Sequence, residues 1–228
     1  MSLIVCEVGV RICLVVAVGA VSLSASAIAA DTELKREYST KDLARMQSLT
    51  PDYFRQSATL ADDALEPIAT ITTDKGFSSH GRFTDRVRSD NFFRALVDKA
   101  TGVTLLQLYA EVTYNFEWRN FTSASVLMSG RPKAIPLTVI DRKVVTCASA
   151  LCTYKETVAI PLTENEVREI AAGWSAAGSR PWPYRLKATN GIDFEDAVMP
   201  AEAAGILQAV DAYRQKAGQP SAGKPPKR

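Results

Sequence analysis

Leu106-Gln107-Leu108-Tyr109-Ala110-Glu111-Val112-Thr113-Tyr114-Asn115-Phe116 decides the fold class. Its even positions are Leu, Leu, Ala, Val, Tyr and Phe, whereas the odd ones include Gln107, Glu111, Thr113 and Asn115. Successive strand side chains point to opposite faces, so this alternation predicts a strand with one face against a core. Upstream, Lys99-Ala100-Thr101-Gly102 reads as a hairpin turn leading back to a strand over residues 91–99. The β-branched run Ile68–Thr72 precedes that pair, across a Gly-, Ser- and charge-rich loop at 74–89. Downstream, residues 123–128 form another strand, ended by Ser129-Gly130-Arg131-Pro132.

Ala148-Ser149-Ala150-Leu151 separates Cys147 from Cys152. Facing the two cysteines across a turn puts Val145 opposite Tyr154, Lys143 opposite Glu156, Val139 opposite Ile160 and Leu137 opposite Leu162. Apolar then meets apolar and base meets acid, which cross-strand energetics favour. The adjoining Val139-Ile140 leaves room for a bulge at the far end. The Lys143–Glu156 pair falls on the apolar face, and the expectation is a sheet edge from which both long stems reach water.

Helix signals flank this centre. Ser39 and Thr50-Pro51-Asp52 are N-cap patterns for two short helices. Thr163-Glu164-Asn165-Glu166 is a capping box, followed by a stripe of Val167, Ile170, Ala171 and Trp174. Residues 184–189 and 194–199 form a late hairpin around Asn190-Gly191. Pro200 opens a helix whose inner face is Ala203, Ile206, Leu207, Val210 and Tyr213. No helical crossover fits between the central strands, as a parallel sheet would need. The expected fold is therefore α+β: an antiparallel β-sheet with C-terminal helices packed on one face.

The first thirty residues address the chain elsewhere. Arg11 precedes an uncharged run from Ile12 to Leu23, then Ser24-Ala25-Ser26-Ala27-Ile28-Ala29-Ala30 and Asp31. A cation, a short apolar core and small residues at the cleavage positions describe a signal peptide cut after Ala29 or Ala30. Only an uncleaved leader would tie the chain to a membrane. Segments 1–30, 31–60, 61–217 and 218–228 read respectively as signal peptide, N-terminal helical or linker segment, α+β domain and disordered tail. Cleavage deletes Arg11 and Glu7 and keeps the formal charge at +2. That near balance excludes a basic field for nucleic acid. It also removes Cys6 and Cys13, leaving Cys147 and Cys152, which read as a disulfide in an oxidising compartment.

Reactive constellations are scarce. The cysteine spacing lacks the helix N-terminus that acidifies a redox thiol. A thiolate metal site would need more ligands than the single histidine, His80, supplies. His80 lies in Gly76-Phe77-Ser78-Ser79-His80-Gly81-Arg82, where neighbouring hydroxyls do not face it in an extended loop. Residues 218–224 match a phosphate loop in glycine spacing alone, since Pro225 stands where a hydroxyl belongs. The neighbours Glu195 and Asp196 would face opposite ways on a strand, so they make no acid–base pair. Cofactors are expected to be none. Trp118, Arg119, Trp182, Tyr184 and Arg185 form the candidate binding patch, because exposed aromatics beside arginine dominate recognition surfaces.

The run from Phe93 to Gly102, then Trp118-Arg119-Asn120-Phe121 and the Cys147/Cys152 hairpin, resembles a group of small exported bacterial proteins. That group has no assigned activity. The resemblance implies an α+β fold and an envelope location over roughly residues 66–215, and supplies no site residues. The expectation is a non-enzymatic periplasmic or secreted domain binding a protein or small-molecule partner in the cell envelope, without nucleic acid. The alternatives are a hydrolase using the His80 loop and an envelope assembly or scaffold component. The scaffold alternative predicts an uncovered apolar patch or a free sheet edge.

Overall fold

Local capping chemistry places the first helices. The computed structural model describes residues 34–35, 38–73, 87–148 and 151–219, so the leader and the His80 loop lie outside the described residues. After a two-residue strand β1 (Leu34–Lys35), Ser39 caps helix α1 (Thr40–Ser48) by accepting from the Asp42 amide at 3.1 Å. Thr50 caps α2 (Pro51–Ser57) through the Tyr53 amide at 3.2 Å. Phe54 of α2 is fully buried.

Strands β2 (Thr59–Ala61), β3 (Ile68–Thr72), β4 (Val87–Asp98) and β5 (Thr104–Asn115) follow. The β4–β5 turn is built by Asp98, whose Oδ1 accepts from the amides of Ala100 and Thr101 and the Thr101 hydroxyl. Then come β6 (Phe121–Met128), β7 (Arg131–Pro136), β8 (Thr138–Ala148) and β9 (Leu151–Leu162). The C-terminal part is α3 (Glu164–Ala171), β10 (Trp182–Ala188), β11 (Phe194–Val198) and α4 (Pro200–Lys216).

The fold is α+β, but its strands divide between two sheets. One runs β2-β3-β4-β5-β9-β8, antiparallel throughout; the other runs β1-β11-β10-β6-β7, with only the β1–β11 pair parallel. The split occurs after β5. Phe116 and Asn120 adopt φ of 87° and 51°, left-handed geometry that turns the chain out of the first sheet. The even positions from Leu106 to Tyr114 are buried as expected, but Gln107 and Tyr109 are buried too, and Phe116 is exposed.

β7 escapes a sequence reading because Arg131-Pro132 looks like a strand stop. Ser129 and Gly130 both have positive φ, and Met128 pairs with Arg131 across them, so the segment is a tight hairpin turn. Proline is tolerated in β7 because it is an edge strand.

One apolar core joins the layers. Leu106, Leu108 and Ile160 of the six-stranded sheet meet Val167 of α3 and Ile206 and Val210 of α4 in the same buried cluster as Phe121, Leu186 and Phe194 of the second sheet. The capping box at Thr163 and Glu166 forms as expected. Trp174 lies beyond the end of α3 and is partly exposed, so it does not extend the helix stripe. Arg214 pins α4, donating to the Gly102 carbonyl at 3.1 Å, the Thr104 hydroxyl at 2.7 Å and Glu164 at 3.1 Å. Beyond the end of α4, the Gln219 amide donates to the Arg214 carbonyl at 2.8 Å.

Candidate functional site

Among the described residues the two sheets end in four edges: β2 and β8, β1 and β7. β1 and β2 are two and three residues long, and β7 carries Pro132 and Pro136, which have no N–H to offer. β8 differs from all three. It has eleven residues, no proline, and is exposed along its whole length. Val139, Ile140, Val144 and Val145 keep 46, 44, 50 and 52 % of their surface in contact with solvent. A long strand edge with β-branched side chains is a template for another strand.

The strand is held by a buried carboxylate. Glu156 of β9 has no exposed surface. Its Oε1 accepts from the Tyr114 hydroxyl and from the Asn120 amide at 2.9 Å. Its Oε2 accepts from the Phe121 amide at 3.2 Å and from Arg142 Nε of β8 at 2.8 Å. Arg142 also donates to the Phe121 carbonyl at 3.0 Å. Burying a carboxylate costs several kcal/mol unless every lone pair finds a donor, and these donors come from β5, the β5–β6 corner and β8. Burial, together with the bond to Glu156, pushes the Tyr114 hydroxyl well above the usual phenol range, so it remains a donor.

The same bond corrects the expected hairpin register. Cys147 faces Cys152 and the two form a disulfide, but beyond them the pairing shifts at Val145 and again at Ile140. Glu156 therefore faces Arg142 and not Lys143, Val144 faces Tyr154, and Val139 faces Val158. Each shift leaves one extra residue on β8, a bulge that bends and twists the edge. Lys143 turns to the outer face opposite Lys155, with Asp141 beside it at 3.3 Å. The expectation of an edge pair reaching water holds for the strand and fails for Glu156.

The five residues of the aromatic–arginine patch do not share one surface. Arg119 and Tyr184 are buried. Trp118 packs on Tyr154 with ring centroids 4.6 Å apart, beside the β5–β6 corner. Trp182 starts β10 at the opposite end of the second sheet, its indole donating to the Leu127 carbonyl at 3.2 Å. Arg185 pairs with Glu195 at 3.0 Å and lines an open groove of about 230 Å³ with Ser125, Leu127, Pro132 and Pro183. Residue type grouped these residues, but they divide between the β5–β6 corner and β10.

A second buried carboxylate, Asp196, lies between the layers. It accepts from Tyr38 at 2.5 Å, Ser89 at 2.7 Å, Asn91 at 3.2 Å and Tyr184 at 3.3 Å. Glu195 points the other way, to Arg185. Ser89 donates its hydroxyl to this carboxylate, and the chain's one histidine lies outside the described residues. Among the described residues no group of three or more His, Cys, Asp or Glu is placed to hold a metal, and no helix is long and apolar enough to cross a membrane.

No family model, curated protein or solved structure matches the chain. What the β8 edge can do is pair: it offers backbone donors and acceptors, half-exposed apolar side chains and a rigid backing through Glu156.

Proposed function

We propose that this chain is an exported, non-enzymatic domain that binds a protein partner by strand addition along β8. The observation that carries the reading is the uninterrupted exposure of β8, eleven residues long and proline-free, against three edges that are short or blocked. Strand addition draws affinity from main-chain hydrogen bonds, each worth about 1 kcal/mol net, and specificity from alternate side chains. Export is supported by the leader-like first thirty residues and by the Cys147–Cys152 bond, which suits an oxidising compartment.

Photo-crosslinking in the native host tests it. A benzophenone amino acid at Val144 or Val145 should give discrete protein adducts, and the same group at the well-exposed Val103 on the β4–β5 turn should give none. Adducts of equal yield at all three positions, or none at 144 and 145, refute binding through β8. Intact mass of the native protein tests export: residues up to Ala29 or Ala30 should be missing, and a retained leader or alkylatable thiols at 147 and 152 refute it.

A further inference from the structure

β8 is complementary to itself. Read from its middle, Thr138-Val139-Ile140-Asp141 on one side of Arg142 answers Lys143-Val144-Val145-Thr146 on the other. In a two-fold antiparallel pair, adjacent residue pairs alternate in hydrogen-bonding type, so the axis must pass through a residue. With the axis at Arg142, Asp141 of each copy faces Lys143 of the other. The apolar dipeptides Val139-Ile140 and Val144-Val145 then meet each other, and Thr138 meets Thr146.

Resting on the reading of β8 as the binding edge, we propose that its partner is a second copy of this chain, paired β8 to β8 about Arg142. The central segment is regular: Asp141, Arg142, Lys143 and Val144 pair in step with Thr157, Glu156, Lys155 and Tyr154, and the bulges lie outside them. The arginines that would face each other on the axis are each already matched by their own Glu156 on the core face. Lys143 supplies a second argument. It sits opposite the like-charged Lys155, which is itself committed to Glu111 at 3.1 Å. Like charges directly opposite are unfavourable, and Asp141 of the second copy brings a carboxylate to the open side of Lys143. Both side chains are about half exposed, 47 and 56 %, and so are accessible to it. A two-fold pairing uses the same edge of both copies, so it closes as a dimer and does not propagate.

Two charge variants and their mixture provide the test. Lys143→Asp places four carboxylates at the axis of its own dimer, and Asp141→Lys places four ammonium groups there. Sedimentation equilibrium of the oxidised protein should show a wild-type dimer, and each variant alone should dimerise at least roughly tenfold more weakly. An equimolar mixture should recover the wild-type constant, because every Asp then faces a Lys across the axis. Effects within one chain cannot produce that recovery. A wild-type chain that stays monomeric, or a mixture no tighter than its components, overturns self-pairing. If β8 then still cross-links to a different protein, the edge remains the binding surface and only the identity of the occupant is wrong. Without such adducts, both proposals fall together.

Discussion

Replacing Glu156 with glutamine keeps the shape of the side chain and removes half of its acceptor capacity. The carboxylate receives four donors, from Tyr114, Asn120, Phe121 and Arg142. A glutamine offers one oxygen and one NH2, so its nitrogen faces either the Phe121 amide and Arg142 or the Asn120 amide and Tyr114, and of these four only the Tyr114 hydroxyl can turn to accept from it. Each buried donor left unmatched costs about 1–3 kcal/mol. Arg142 keeps 31 % of its side chain in solvent and recovers part of its share there. The expected loss is about 3 kcal/mol, which lowers the melting temperature by roughly 6–12 °C at about 2–4 °C per kcal/mol for a domain of this size. Urea titration of the oxidised protein, followed by tryptophan fluorescence, measures it. Glu117→Gln serves as the control, because that exposed carboxylate should cost no more than about 0.5 kcal/mol. A loss below about 1 kcal/mol at Glu156 would show that the four contacts do not act as a buried anchor, and the account of the β8 register would fail with it.

Gly205→Ala should destabilise despite the better helix propensity of alanine, because the added methyl would lie 2.4 Å from Phe54 Cβ and 2.8 Å from the Pro51 carbonyl. Displacing α2 to make room costs about 1–3 kcal/mol, read by urea titration and by faster proteolysis within α2; a variant as stable as the parent refutes the close approach. Acid titration should expose Glu164. Burial raises its carboxyl, but the hydrogen bonds from Arg214 and Arg168 outweigh that and hold it below the ordinary glutamate value of 4.5. A depressed folded value means the stabilisation is fully present above that pH and fades as the carboxyl protonates below it. The stability gap between wild type and Glu164→Gln should therefore narrow on acidification below 4.5, and a gap constant with pH contradicts the pairing.

Much of the fold is legible because local chemistry dictates it. Ser39, Thr50 and Thr163 announce helix starts through hydroxyls that satisfy nearby amides, and no tertiary contact is needed to read them. The even positions of β5 are legible because they face the main core, whereas the burial of Tyr109 depends on Phe92 and Ala159 from the neighbouring strands. Legibility ends where a distant partner decides. Val145 becomes a bulge residue where Arg142 meets Glu156, and nothing in the residue itself marks it, whereas the adjoining apolar pair Val139-Ile140 does mark the second bulge, at Ile140. Glu156 and Asp196 look like surface acids until Asn120, Phe121, Ser89 and Asn91 arrive from remote points of the chain. Tyr184 and Arg119 read as recognition residues by type, although both are buried. The exposed β8 edge has the opposite problem: Val139, Ile140, Val144 and Val145 look like core, and only the sheet order reveals that no strand among the described residues lies beyond them.

Leu137 alone separates β7 from β8, and its amide donates to the Thr122 carbonyl at 3.0 Å. One nearly continuous length of backbone thus serves as the rim of one layer and then of the other. A load applied at either rim is passed along covalent bonds to its neighbour before any side chain must yield. Whatever grips this seam is therefore pulling on both halves of the molecule at once.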